Sequence, residues 1–168
     1  SETSTSQNPV SYYIDHTIYT GRPADTTGRF QKELRTYDLL DSLGITYARA
    51  DHDTLPTMEA CQEVGNLLGI EICKNLFLRN TQKTAFYLLI LPGSKKFKTA
   101  ALSKQIGSAR LSFAEPEFME QYLNITPGSV SVLGLMNDPE NKVRLLIDKD
   151  ILENHPTSDV IHASTPPA

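Results

Sequence analysis

Two cysteines, Cys61 and Cys73, are the only thiols in the 168 residues. Two thiols do not make a disulfide scaffold, and this pair lacks the spacing of a metal motif. No apolar run is long enough to span a bilayer as a helix. Residues 1–9 are polar and lack the charged-then-apolar pattern of a signal peptide, so a reduced, cytoplasmic protein is expected. There is no phosphate loop, no Gly-x-Ser-x-Gly elbow and no metal signature. These absences leave no general enzyme motif, and no metal or organic cofactor is expected.

A further absence concerns charge. Residues 72–114 contain no Asp or Glu, although the chain as a whole has 20 acids and a net charge of −4. The same stretch holds Lys74, Arg79, Lys83, Lys95, Lys96, Lys98, Lys104 and Arg110, half of the 16 cations. The overall sign argues against a nucleic-acid partner. The distribution argues the other way, because clustered cations create a local positive field inside an acidic protein. No helix-turn-helix pattern with a basic recognition helix is evident, so DNA is not the expected polyanion.

Apolar residues make up 39% of the chain, enough for one globular domain with a core. Residues 1–26 are rich in Ser, Thr, Asn and Pro and read as a loosely ordered extension, although Tyr12, Tyr13 and Ile14 are able to pack on the domain. Asp25, Thr26 and Thr27 are N-cap candidates for a helix that spaces Phe30, Leu34, Tyr37 and Leu40 and stops at Gly44. A strand is expected over 45–50, then a helix over 58–68 opened by Pro56 and Thr57 and closed by Gly69. Strands follow at 72–79 and 84–91, separated by a polar turn; the second is nearly all apolar, as a strand buried on both faces would be. A short helix from Thr99, a helix over 115–123, a strand or loop over 128–135 and a strand over 142–147 complete the pattern. Helices and strands mix without strict βαβ repetition. The expected fold is therefore mixed α/β, a single domain over 27–156 with a C-terminal tail at 157–168.

Three local features carry chemistry. In Cys73-Lys74-Asn75-Leu76-Phe77-Leu78-Arg79, strand alternation places Lys74, Leu76 and Leu78 on one side and Asn75, Phe77 and Arg79 on the other. Lys74 is thus either a cation held for a phosphate or carboxylate, or a strand-end lysine reaching solvent on its long stem. The segment 126–135 has glycines that permit close backbone approach and exposed N–H donors, which suit an oxyanion, or it is a plain loop. His155-Pro156 is the third feature, and a lone histidine is more often structural than catalytic.

Several blocks together resemble the YbaK/prolyl-tRNA deacylase family, the freestanding relatives of the editing domain inserted in some prolyl-tRNA synthetases. They are Asp51-His52-Asp53 with the helix after Pro56, Lys74-Asn75-Leu76-Phe77-Leu78, and Leu102-Ser103-Lys104 with Arg110-Leu111-Ser112-Phe113-Ala114. The segment 126–135 with Asn137-Asp138 completes the set, and the match spans about residues 19–150. The Gly128-Ser129-Val130-Ser131 block with Gly134-Leu135 looks most like the alanine-specific branch.

The resemblance implies a central mixed, mostly antiparallel sheet or partial barrel surrounded by helices. It also implies hydrolysis of alanine from the terminal adenosine of proline tRNA, with that tRNA's acceptor end as partner. By the same resemblance Lys74 holds the terminal nucleotide, and Gly128, Ser129, Val130 and Ser131 lie in the loop that lines the amino-acid pocket; the backbone N–H groups of that loop are expected to hold the ester carbonyl. His155 matches a family histidine. Asn75, Phe77, Val132, Leu133 and Gly134 are expected around the substrate, with Arg79 and Arg110 near the acceptor stem.

Two positions depart from the family pattern. Val132 stands where the family has Pro, and the C-terminal His-Pro block comes early, without the usual Asn-Thr after it. A deacylase for cysteine on the same tRNA, or a tRNA- or nucleotide-binding module without catalysis, are the competing readings. The two thiols are expected to be buried small residues rather than nucleophiles.

Overall fold

The structure, a computed structural model, describes residues 11–53, 55, 57–127 and 130–154. In chain order the elements are β1 (Tyr19–Thr20), α1 (Gln31–Ser42), β2 (Ala48–Arg49), α2 (Met58–Leu68), β3 (Cys73–Asn80), β4 (Phe86–Pro92), α3 (Thr99–Ile106) and β5 (Leu111–Phe113). Then come α4 (Pro116–Phe118), which runs on into a π-helical turn (Met119–Leu123), a 3-10 helix (Val132–Asn137), β6 (Val143–Ile147) and α5 (Lys149–Asn154).

Four strands form the central sheet in the order β5-β3-β4-β6. β3 is antiparallel to both β4 and β5, whereas β6 joins β4 in parallel. The sheet is mixed and mostly antiparallel, and it stays open rather than closing as a partial barrel. The apolar run of β4 follows from its place: it has a strand on each side and a packed layer on each face.

The β3–β4 hairpin is closed by Asn80, whose Oδ1 accepts from the Thr84 and Ala85 amides at 2.8 and 3.1 Å. Asn80 thereby satisfies turn amides that no strand can reach. Likewise Asp138 starts β6 by accepting from the Lys142 and Val143 amides.

Each sheet face carries its own core. On the first face Leu78, Leu89, Leu91 and Leu111 pack under Phe97 and the α3 residues Leu102 and Ile106. On the second, Phe77, Phe86, Leu88 and Val143 pack with Ala114 and Leu123, beneath Phe118, Tyr122 and the 3-10 helix. Burying each of these large side chains contributes about 1.5–3 kcal/mol.

A smaller β1–β2 sheet, with a bridge between Ile14 and His52, ties residues 11–26 to the body. Part of the segment expected to be loosely ordered is therefore held by backbone pairing; Ile14 is buried, while Tyr12 and Tyr13 stay exposed. The strand expected over 45–50 shrinks to Ala48–Arg49, because only those residues find a partner in β1. The expected caps also differ. α1 starts after Phe30 without a side-chain cap, and Asp25 instead closes a local turn by accepting from the Thr27 amide. α2 matches its expectation: Thr57 accepts from the Ala60 amide and Gly69 ends the helix at φ 71°.

A charge network locks α1 to the segment leading into α2. Arg29 bridges Glu33 and Asp51, Arg49 also pairs with Asp51, and the Tyr37 hydroxyl donates to Glu33. Glu33 is only 2% exposed. Burial and the Glu33 carboxylate together push the Tyr37 hydroxyl pKa well above its usual value.

Candidate active site

Lys74 is the second residue of β3, paired with Leu91 on the first sheet face. Its Nζ donates to the Lys95 carbonyl oxygen at 2.9 Å. That carbonyl is brought there by a tight turn after β4, in which the Lys95 amide donates to the Pro92 carbonyl at 3.0 Å. The turn lies directly on the chain entering β3. A Cβ on Gly93 would sit 2.3 Å from the Ile72 carbonyl oxygen, so only glycine permits this approach.

Lys95 is itself tethered. Its ammonium pairs with Asp148 at 2.8 Å and Asp150 at 3.0 Å, which raises its own pKa and lowers that of Asp148. Among the described residues no carboxylate pairs with Lys74, which leaves its charge available to an anion. Arg79 and Lys95 in the same acid-free stretch take carboxylates from outside it, Glu115 and Asp148 with Asp150, so it is the fold that leaves Lys74 without one.

Gly93→Ala is expected to push the turn off Ile72 and release the Lys74 ammonium from its carbonyl. A misplacement of this kind costs about 10–100-fold in rate. The check is kcat/KM for the ester hydrolysis that the family resemblance implies, alongside a thermal melt. An unchanged kcat/KM would show that the turn does not position Lys74.

The second sheet face holds Asn75, paired with Ile90, which in turn pairs with Ile147 of β6. The next row on this face is Phe77, Leu88 and Leu145. Ile147 and Leu145 are 41% and 38% exposed, so the β6 side of both rows is open. An amide beside a half-open apolar row suits a small ligand group with one polar and one apolar end. Ile90, Leu145 and Ile147 were not singled out from sequence; the alternation of 143–147 was the available signal, but its registration beside Asn75 required the sheet order.

Several expected site residues have other tasks. Phe77 is 1% exposed and stacks on Phe86 at 5.8 Å between centroids, so it is a core side chain beneath the site rather than a substrate contact. Arg79 forms a forked pair with Glu115 and also donates to the Asn80 carbonyl. The Arg79 guanidinium holds the Glu115 carboxyl at a pKa of about 2, and a cation so matched is not a free phosphate contact. Arg110 is exposed and forms no ion pair among the described residues.

Ser131 is 4% exposed, and its Oγ accepts from the Leu133 amide at 3.1 Å, capping the 3-10 helix. Its hydroxyl is thereby engaged within the helix start. The expected strand or loop over 128–135 is, from Val132 on, this helix. Gly134 lets it lie on the π-helical turn, since a Cβ there would meet Ile125 Cδ1 at 2.4 Å and Leu123 Cβ at 3.2 Å. Val130 and Val132 pack against the second-face core, and Leu133 is half-buried. Gly128, Ser129 and His155 lie outside the described residues.

Asn75, Val130 and Val132 thus share one face of the sheet, and Lys74 stands on the other. The start of β3 is where the two sets come closest in sequence, through the adjacent pair Lys74-Asn75. The Asp51-His52-Asp53 block serves packing: His52 is buried with Nδ1 2.7 Å from the Asp53 carbonyl oxygen, and Asp53 accepts from the Tyr13 amide. Burial pushes the Cys61 thiol pKa up, away from nucleophilic character.

Comparison with known proteins agrees with this frame. A model of the aminoacyl-tRNA editing domain family matches residues 52–166. The chain is 34% identical over 113 residues to the prolyl-tRNA editing protein ProX of Acetoanaerobium sticklandii, covering 67% of this chain and 69% of that protein. It is 29% identical over 128 residues to the prolyl-tRNA synthetase associated domain-containing protein 1 of Xenopus laevis, covering 75% of this chain and 74% of that one. Among solved structures, that of hypothetical protein APE2540 superposes with a TM-score of 0.52 at 22% identity over 73% of this chain and 76% of that one, a likeness of fold. These matches, with the open mixed sheet, lead to one conclusion: the chain belongs to the aminoacyl-tRNA editing domain family, the hydrolases that deacylate aminoacyl-tRNA.

Proposed function

We propose that this protein removes alanine from mischarged proline tRNA in trans, in the cytoplasm, by hydrolysing the ester at the terminal adenosine. The observation that carries this reading is the Lys74 ammonium, held by one carbonyl and unmatched by any carboxylate among the described residues. It suits an anionic nucleotide end. Family membership and the name of the Acetoanaerobium relative support the choice of substrate class and of proline tRNA.

An aminoacyl ester is already activated, so no strong protein nucleophile is needed. Water attacks the ester carbonyl, and the neighbouring ribose hydroxyl relays the proton that the water loses to the ribose oxygen that leaves. The tetrahedral oxyanion collapses, and the ribose oxygen leaves and takes up that proton. The products are the free amino acid and the tRNA with a restored hydroxyl. In this proposal Lys74 anchors the terminal nucleotide, and backbone N–H groups of the 128–132 segment stabilise the oxyanion. The row of Ile90 and Ile147 beside Asn75 takes the amino-acid side chain.

Size alone discriminates modestly: one methylene is worth roughly 1–3 kcal/mol. Sparing of proline therefore rests on steric exclusion of its ring. The test is hydrolysis of alanyl-, cysteinyl- and prolyl-tRNA, each on proline tRNA. Alanine is expected to be lost fastest, with proline retained. Preferential loss of cysteine would reassign the specificity, and retention of all three by folded protein would leave a binding module.

A further inference from the structure

We infer that Phe113 is a stacking platform for an unpaired base of the RNA, flanked by a rail of cations around α3. The inference deepens the proposed function and rests on its reading that the protein engages tRNA. Phe113 ends β5 and is 57% exposed. Its ring meets Phe97 edge-to-face at 6.3 Å between centroids, so an ordered aromatic neighbour supports a side chain that stays more than half exposed. β5 is held against α3 by the Leu111 amide, which donates to Ser103 Oγ at 3.3 Å. The platform therefore stands on ordered structure.

The charges around it divide into two groups. Arg79 and Lys95 are matched by Glu115 and by Asp148 with Asp150. Lys96, Lys98, Lys104 and Arg110 are exposed and form no ion pair among the described residues. Lys96 and Lys98 flank Phe97 in sequence, and Arg110 lies three residues before Phe113.

The strip adjoins Lys74 through the turn after β4. The Lys74 ammonium rests on the carbonyl of Lys95, the residue next to Lys96 and Phe97. An RNA strand end that reaches Lys74 thus passes a surface combining positive charge with an aromatic face. That combination is how single strands are held without base readout. A second copy of this chain is a poorer occupant, because a symmetric contact through this face would bring like charges together.

The experiment uses the full chain and two labelled RNA hairpins, one with an unpaired 3′ end and one blunt. Binding is followed by fluorescence anisotropy across a salt series. Phe113→Ala should weaken binding of the unpaired-end hairpin about tenfold and leave the blunt hairpin unchanged, whereas Phe113→Tyr should restore binding. Lys98→Glu combined with Lys104→Glu should weaken both hairpins and flatten the salt dependence, with Lys32→Glu on α1 as an unaffected control.

Equal binding of the unpaired-end hairpin by wild type and Phe113→Ala would overturn the inference while leaving hydrolysis, and hence the proposed function, intact. Wild-type protein that neither bound RNA nor hydrolysed aminoacyl-tRNA would overturn both. A dimer dissolved by Phe113→Ala with RNA binding unchanged would give this face to a second copy.

Discussion

Lys74→Ala is expected to lower kcat/KM for deacylation of alanylated proline tRNA by about 100-fold or more, the scale on which a single well-placed electrostatic contact acts. The fold should survive. Lys74 is half-buried, its ammonium has one carbonyl partner, and the Lys95 carbonyl left behind stands in an exposed turn where water can replace the lost donor. The change in stability should stay within about 1 kcal/mol, the net worth of one such bond. Single-turnover hydrolysis with a parallel melt separates the two effects. Lys74→Arg is informative beside it: it keeps the charge but replaces a compact ammonium with a planar fork, so partial activity marks charge and loss marks shape. Full activity in Lys74→Ala would remove the lysine from the mechanism and with it the observation on which the proposed function rests.

The second large effect concerns stability. Glu33→Ala is expected to cost about 3–5 kcal/mol, because removing one member of a buried charged network leaves its partners desolvated without compensation. Arg29 would retain only Asp51, and the buried Tyr37 hydroxyl would lose its acceptor. Chemical denaturation measures the loss as a shift in midpoint. Glu33→Gln should cost less, since the amide oxygen still accepts from Tyr37. A Glu33→Ala protein as stable as wild type would mean that α1 is held by the Tyr37–Tyr47 stack and its apolar contacts instead. Neither substitution touches Lys74 or Asn75. Activity per folded molecule should therefore stay near the wild-type value, in contrast to Lys74→Ala.

The parts of the fold that were legible in the sequence are those with strong local causes. α2 declares itself by Thr57 at its start and Gly69 at its end, and both act as expected, one through its hydroxyl and the other through a left-handed backbone. The apolar run of β4 announces a strand covered on both faces, and the alternation of β3 puts Lys74 and Asn75 on opposite sides before any contact is seen. The absence of acids over 72–114 is likewise a sequence property: it denies Lys74 a carboxylate from its own hairpin, although Arg79 and Lys95 in the same stretch find theirs outside it.

Other features were illegible because they depend on partners far away in the chain. Phe77 belongs to the same motif as Lys74, yet a core phenylalanine and a substrate contact have the same local pattern; only the ring of Phe86 across the hairpin decides between them. Arg79 reads as a free cation until Glu115, 36 residues on, takes both sides of its fork. The segment after Ser131 begins with the apolar pair Val132-Leu133, as a strand would. It becomes a 3-10 helix because Ser131 caps it and Gly134 must lie against Leu123 and Ile125. The Arg29–Glu33 pair has the i,i+4 spacing of an ordinary solvated pair, and nothing local shows that Asp51, 22 residues on from Arg29, joins it in a buried network.

The sequence by itself determined the strand that carries the lysine, the placement of that lysine and its neighbour on opposite faces, and the acid-free stretch of chain around it. Those follow from alternation and composition, which act over a few residues. Tertiary structure decided which cations remain available, which apolar residues stand beside Asn75, and which aromatic is left open at the surface. These depend on strand order and on ion pairs between distant residues, and the free energy of such contacts exists only once the chain has closed the loops between them.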